Sequence, residues 1–407
     1  MNVDVVIVGA GPAGIISAIE LAKRDLKVVV VDEYFRTGGR LLGQLYDDPK
    51  APKESRHWDG KKIATQLTEE ALKYGVTILC ETTVWKIESD FIISVSDNQI
   101  KEIYSKAIIL ATGAIEKALP ISGWTKVGVV SVGAAQTFTN LHNVKIGKKV
   151  LFVGIDPLSI SVAIEMKNAG FDVKGMVLPS PTILTLNKSN PRETLENLAL
   201  ASDLAPNKIF RILGKMMKGK IASFALNFLT LDLLKIHGIP LYLRKAVTQI
   251  NGEQEVESVT INKVSVDGKI QPNIVETLNI DTVCLSGGLL PLVDSSQLAN
   301  CEIVDIPELG GIVPLHNKYL NTTKDRVYVA GNITGIEGAK VAMAQGKLAA
   351  LNLLKDFEMV DESEVEKAYE SVEEARRASP ILFLPKIRNG REIMQMKWET
   401  YVAKVGE

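Results

Sequence analysis

Residues 3–8, Val-Asp-Val-Val-Ile-Val, are almost continuously apolar and β-branched, the pattern of a parallel strand buried on both faces. Glycines at 9, 11 and 14 and Pro12 break the run. Helical spacing of apolar residues follows over about 13–24, and a second apolar run at 27–31 ends in Asp32-Glu33. The same sequence of elements returns in mid-chain. Residues 149–153 predict a strand, 158–169 a helix and 172–178 a further strand. Two more strands, at 107–113 and 326–332, each end in a Gly-containing turn, and a helix is predicted over 339–354. Strands alternating with helices at this spacing predict an α/β fold with parallel sheets.

Composition changes this picture little. The 407 residues are 46% hydrophobic and 23% charged, an ordinary globular balance for two or three domains. A formal net charge of -1 gives no field favouring nucleic acid. Cys80, Cys284 and Cys301 form no C-x-x-C pair, which argues against a disulfide relay, a cysteine-ligated cluster and a zinc site. His57, His142, His237 and His316 are scattered and show no metal spacing. The apolar N-terminus lacks a basic leader region and carries Asp4 and Glu20, so it reads neither as a secretory signal nor as a transmembrane segment. The expected location is cytoplasmic, with membrane contact only through a complex.

Chemistry enters with Gly9-Ala10-Gly11-Pro12-Ala13-Gly14. Gly9 permits a tight turn off the strand, Gly11 lets a pyrophosphate approach bare backbone, and Gly14 lets the helix pack close. Free N–H groups where the helix opens, around Pro12 and Ala13, and the helix dipole then face the phosphates. Asp32, about 20 residues on, is placed to accept from ribose hydroxyls, with Glu33 beside it. Gly38-Gly39, flanked by Arg36 and Arg40, brings backbone near a second part of the same nucleotide.

The mid-chain copy, Gly154-Ile155-Asp156-Pro157-Leu158-Ser159, is damaged. Asp156 stands where the second glycine belongs and brings bulk and negative charge to the diphosphate position; Ser159 replaces the third glycine. The next strand ends in Met176-Val177-Leu178-Pro179, with no acid for a ribose and no arginine for a 2′-phosphate. No NAD(P) is expected there.

The order of the first Gly motif, the Ala111-Thr112-Gly113 turn and the late strand ending in Gly331-Asn332 resembles the glutathione-reductase-like flavoproteins with two dinucleotide domains. That resemblance implies two Rossmann-like domains and FAD at the first site. Where the superfamily usually carries Gly-Asp, with the Asp bonding the ribityl chain, this chain has Asn332, which keeps hydrogen bonding and loses charge. Ala339, opening the following helix, completes the candidate cofactor set of Gly9, Gly11, Pro12, Ala13, Gly14, Asp32, Glu33, Gly39, Arg40, Ala111, Thr112, Gly113, Gly331 and Asn332. No catalytic residue is identified.

A narrower likeness lies at residues 111–138. Ala-Thr-Gly-Ala-Ile-Glu-Lys-Ala-Leu-Pro-Ile-Ser-Gly-Trp is followed by Gly-Val-Val-Ser-Val-Gly-Ala-Ala-Gln-Thr. This resembles the α-type flavoprotein subunits of heteromeric dehydrogenases and oxidases: dye-linked L-proline dehydrogenase, opine oxidase, hydrogen cyanide synthase and sarcosine oxidase. The resemblance spans roughly residues 3–355. It implies an FAD-dependent oxidoreductase acting on CH-NH or CH-NH2 donors, paired with a second FAD-containing β subunit that oxidises an amine or amino acid. Electrons would pass to an acceptor other than NAD(P), through a small iron–sulfur subunit or an FMN at a subunit interface. Two alternatives stay open: a stand-alone NAD(P)H-dependent flavin oxidoreductase, and a non-catalytic assembly subunit holding ATP or ADP at the first site.

The expected organisation is an FAD domain at 1–118 and 275–355, and a degenerate NAD(P)-type domain at 119–274 with a helical insertion at 180–237. A C-terminal extension at 356–407 is a candidate subunit contact, with Trp398 and Tyr401 as aromatic anchors. The basic, Met-containing stretch at 208–220 is a candidate docking or lipid-surface helix pair.

Overall fold

The computed structural model describes residues 1–47, 52, 56–97, 99–200, 234–379 and 382–405. They form two compact units. The first comprises Met1–Leu42, Asp59–Ile115 and Leu289–Glu407, the second Gly43–Trp58 and Glu116–Gly288.

The first unit is organised by a five-stranded parallel sheet, in the order Val327–Val329, Ala107–Leu110, Val5–Val8, Val28–Val31, Thr77–Leu79. The first four of these strands are apolar and buried throughout because both faces are covered, whereas the edge strand Thr77–Leu79 exposes Thr77. Val5, Ile7, Val28, Val30, Ala107 and Ile109 pack on one side against helices Pro12–Ala22 and Ala339–Asp356. Val6, Val8, Val29, Val31, Ile108 and Leu110 pack on the other against a three-stranded antiparallel sheet through Ile87, Ile93 and Ile103.

The second unit holds a larger sheet. Val129–Ser131, Thr282–Leu285, Lys149–Val153, Asp172–Pro179 and Ile239–Asn251 run parallel, and Ser258–Val264 and Ile270–Asn279 continue it antiparallel. Helices Val132–Asn140 and Pro157–Asn168 contribute Val132, Ala135, Val162 and Met166 to the core over Phe152 and Met176. This is the mixed, Rossmann-like architecture expected from the sequence.

The two compact units divide the chain at other points than the expected domain bounds. The boundary at 274/275 cuts the strand Ile270–Asn279, and the second unit runs on to Gly288 because Thr282–Leu285 pairs in its sheet with Lys149–Val153. The residues after 356 are part of the first unit: helix Glu362–Ala378 buries Val365, Ala368 and Val372 in the same core as Ala339–Asp356. Helix Ile387–Val405 buries Ile387 and Met394 with Leu309 and Val313, and Trp398 and Tyr401 pack partly against that cluster. Of the helical insertion, Leu186–Ser189 and Pro191–Leu200 are helices, whereas the basic stretch at 208–220 lies outside the described residues. Among the described residues no helix is long and apolar enough to cross a membrane.

Candidate functional site

In the first unit the chain leaves Val5–Val8 at Gly9, where φ is +107° and a Cβ would lie 2.4 Å from the Ala111 carbonyl oxygen. Only glycine passes there. At Gly14 a Cβ would lie 1.9 Å from the Gly9 oxygen, so the helix sits hard on the turn. Gly11 differs in kind: a Cβ would meet nothing within 4 Å. It is the N-cap of Pro12–Ala22, no side chain caps that helix, and its first turn carries no acid. The first N–H groups of the helix therefore open onto unfilled space beside bare backbone, the arrangement that suits a diphosphate. Gly39 closes the rim, since its Cβ would stand 3.1 Å from the Gly11 Cα.

At the end of Val28–Val31 the first acid also has a structural partner. One Asp32 oxygen accepts from Ala10 N–H at 2.6 Å and the other from Tyr34 N–H at 2.8 Å, so this carboxylate braces the glycine turn. Glu33 is exposed beside it, and each Asp32 oxygen, accepting one backbone N–H, keeps a lone pair for a further donor. Arg40 Nε donates to the Ala114 carbonyl at 3.3 Å. Thr112 donates to the Leu292 carbonyl at 2.6 Å, fixing the Ala111-Thr112-Gly113 turn, and a Cβ on Gly113 would meet open space.

The late segment closes on the same sheet edge. Gly331 N–H donates to Gln345 Oε1 at 2.8 Å, and a Cβ on Gly331 would lie 3.0 Å from that of Ala13. Asn332 Oδ1 accepts from Glu337 N–H at 3.1 Å. That bond fixes the amide's orientation, because a backbone N–H needs the oxygen, and it leaves Nδ2 as a donor toward any ligand. Ala339 is the first residue of its helix, whose N-cap Gly338 supplies no side-chain bond. The first unit thus gathers the candidate residues of its three segments around the carboxyl ends of parallel strands, where open α/β sheets bind nucleotides.

The equivalent turn in the second unit is filled from within. Asp156 caps Pro157–Asn168 in a reciprocal capping box with Ser159. The other carboxylate oxygen takes Ser286 Oγ at 2.7 Å and Lys188 Nζ at 2.9 Å. Burial works to raise the Asp156 pKa, but the Lys188 charge and the Ser159 and Ser286 bonds prevail and hold it below the usual carboxylate range. A protein carboxylate therefore occupies the positive helix end that a diphosphate would otherwise take.

Sequence reading also missed a buried acid. Glu165 receives Asn140 Nδ2 at 2.6 Å, Ser161 Oγ at 2.9 Å and Gln136 Nε2 at 3.1 Å. Gln136 belongs to the Gly-Ala-Ala-Gln-Thr motif, so that motif residue serves to solvate a carboxyl. Burial pushes Glu165 up to about 7, against these neutral hydrogen bonds. A carboxyl whose folded pKa exceeds its unfolded value costs nothing at low pH and destabilises as pH rises through that window. Glu165→Gln is thus expected to stabilise the chain by about 2 kcal/mol at pH 8 and by nothing measurable at pH 4. Urea unfolding at the two pH values checks this; equal gains at both would refute it.

Among the described residues no group of His, Cys, Asp and Glu is placed to hold a metal ion. Comparison with known proteins agrees with the fold. The chain is 28% identical over 371 residues to an opine oxidase subunit from Agrobacterium tumefaciens, covering 88% of this chain and 66% of that one. It is 26% identical to hydrogen cyanide synthase subunit HcnB of Pseudomonas protegens, covering 87% and 71%. L-proline dehydrogenase from P. horikoshii superposes with a TM-score of 0.62 at 22% identity, over 91% of this chain and 59% of that one, a likeness of fold. The chain thus spans about two thirds of the curated relatives it matches. The pyridine nucleotide-disulphide oxidoreductase family matches residues 3–202 and 210–346, and the chain belongs to that family of oxidoreductases.

Proposed function

We propose that this chain is the α-type flavoprotein subunit of a heteromeric, FAD-dependent amine or amino-acid dehydrogenase. It would pass electrons between a partner flavoprotein and an acceptor other than NAD(P). The observation that carries this reading is the contrast between the two helix N-termini: open at Gly11, filled by Asp156 and Lys188 in the second unit. Both curated relatives are named as subunits, one of opine oxidase and one of hydrogen cyanide synthase, which supports a role inside a complex.

Bound FAD would supply a reversible two-electron store. The chain's own residues would hold it: Gly9, Gly11, Gly14 and the helix N–H groups at the diphosphate, Asp32 with Glu33 at the ribose, Asn332 Nδ2 at the ribityl hydroxyls, and the helix opening at Ala339 beyond them. Substrate oxidation would lie in the partner β subunit. An iron–sulfur subunit or an interfacial FMN would relay electrons, since this chain has no cysteine set to carry a cluster.

The isolated chain is expected to show visible flavin bands after reconstitution with FAD. NADH and NADPH should leave them unbleached under anaerobic conditions, and the native complex should be bleached by an amine or amino acid. Rapid bleaching of the isolated chain by NADPH would instead make it a stand-alone reductase. Adenine nucleotide released on denaturation, with no flavin bands, would make it an assembly subunit.

A further inference from the structure

Two helices beyond residue 356 reach the segment proposed to meet the flavin. Arg391, on helix Ile387–Val405, donates from Nη1 to the Thr334 carbonyl at 2.8 Å and from Nη2 to Thr334 Oγ1 at 3.1 Å, and it also pairs with Glu337. Arg376, on helix Glu362–Ala378, grips Glu337 with two bonds, Nε to Oε1 at 2.9 Å and Nη2 to Oε2 at 3.1 Å. These side chains are largely buried: 9% exposed for Glu337, 15% for Arg376 and 14% for Arg391.

Both held residues act directly on the cofactor segment. Thr334 Oγ1 donates to the Gly331 carbonyl at 2.9 Å and lies 3.3 Å from Gln345 Oε1, the acceptor that holds Gly331 N–H. Glu337 N–H holds Asn332 Oδ1. Two glycines make the approach possible. A Cβ on Gly335 would lie 3.1 Å from Arg391 Nη2, and one on Gly390 would lie 2.8 Å from Leu309 Cδ2. Burying two arginines and a glutamate is expensive, and the bonds converge on the turn that aims Asn332.

We propose that Arg391 is a positioning residue for the flavin end of the cofactor, holding residues 331–337 so that Asn332 Nδ2 faces the ribityl chain. The proposal rests on the reading of the first site as an FAD site. Arg376 supports it through their shared partner Glu337. The clamp does not touch residues 9–14, so it should act on one end of the dinucleotide only.

That asymmetry gives the test. FAD and ADP dissociation constants are measured by titration calorimetry for the apo full-length chain, Arg391→Gln, Arg391→Lys and the exposed control Lys397→Gln. ADP reaches only the diphosphate and ribose end. Arg391→Gln is expected to weaken FAD about tenfold and ADP by less than about twofold. Arg391→Lys, which keeps charge but not the forked geometry, should fall between, and Lys397→Gln should match the parent. Equal losses of FAD and ADP, or no loss of either, overturn the proposal. Should Arg391→Gln fail to fold, the Lys variant carries the same comparison. A parent chain that binds ADP and not FAD refutes the flavin reading itself, and this inference with it, before any variant is compared.

Discussion

Gly11→Ala is expected to abolish practical FAD binding while leaving the fold intact. The residue has φ −72° and ψ −177°, extended backbone that alanine adopts freely, and the added methyl meets no protein atom within 4 Å. Thermal unfolding of the apo variant should match the parent to within about 2 °C, since an unstrained Gly→Ala change shifts stability by only a few tenths of a kcal/mol to about 1 kcal/mol. The methyl fills the space in which a diphosphate would touch backbone, and a loss of about a hundredfold in affinity, near 2.7 kcal/mol, is expected. Gly14→Ala adds the same methyl three residues on with the opposite result. There the Cβ would stand 1.9 Å from the Gly9 oxygen, so helix and turn must separate, at a cost of about 3 kcal/mol or more in the apo protein. Calorimetric titration with FAD and thermal unfolding of both variants resolve the pair. Undiminished FAD affinity in Gly11→Ala would remove the cofactor from this cradle.

The glycine turn of the first candidate site was legible because its geometry is local. Gly9, Gly11 and Gly14 lie within one turn, and the strands beside them are uninterrupted runs of β-branched residues. What the spacing could not settle was which of two adjacent acids braces the turn, because Asp32 and Glu33 differ only in which backbone N–H groups lie within reach after folding. The strand near the expected domain boundary was ambiguous for a related reason. Thr282–Leu285 is apolar on both faces and would suit either parallel sheet, so its sequence predicts a strand without choosing a partner. The buried polar clusters were invisible. Glu165 meets Gln136 and Asn140 across two helices, and Glu337 meets Arg376 and Arg391 across 39 and 54 residues. No periodicity marks such pairs, since Gln136, Asn140, Glu165, Arg376 and Arg391 each read alone as a surface residue of a helix, and Glu337 as a loop residue before one.

Asp156 was legible as a defect in a nucleotide motif and illegible as a structural element, and its removal should show the second role. Asp156→Ala removes an N-cap, worth about 1 kcal/mol, takes the acceptor from the Ser286 hydroxyl, and leaves Lys188 Nζ with the Ser286 carbonyl at 3.2 Å and no counter-charge there. The pair is partly exposed, 31% for Lys188 and 20% for Asp156, so the charge contribution is well below that of a fully buried bridge. A total loss of about 2–3 kcal/mol at pH 7 is expected, with about half recovered by Asp156→Asn, which still accepts from Ser159 N–H. The folded pKa of Asp156 lies below its unfolded value, so its stabilisation is complete above that unfolded value and fades as pH falls through the lower one. The gap between parent and Ala variant should therefore be constant from pH 5 to 7 and shrink toward pH 3, as read from urea unfolding. An Ala variant as stable as the parent would show that the carboxylate holds nothing together. The same atoms govern ligand choice. A nicotinamide nucleotide could seat its diphosphate only by displacing Asp156 from Ser159, Ser286 and Lys188 together. Asp156→Gly clears that obstacle but gives the strand ending at Pro179 no acid for a ribose, so NADPH should still fail to bleach the flavin of that variant.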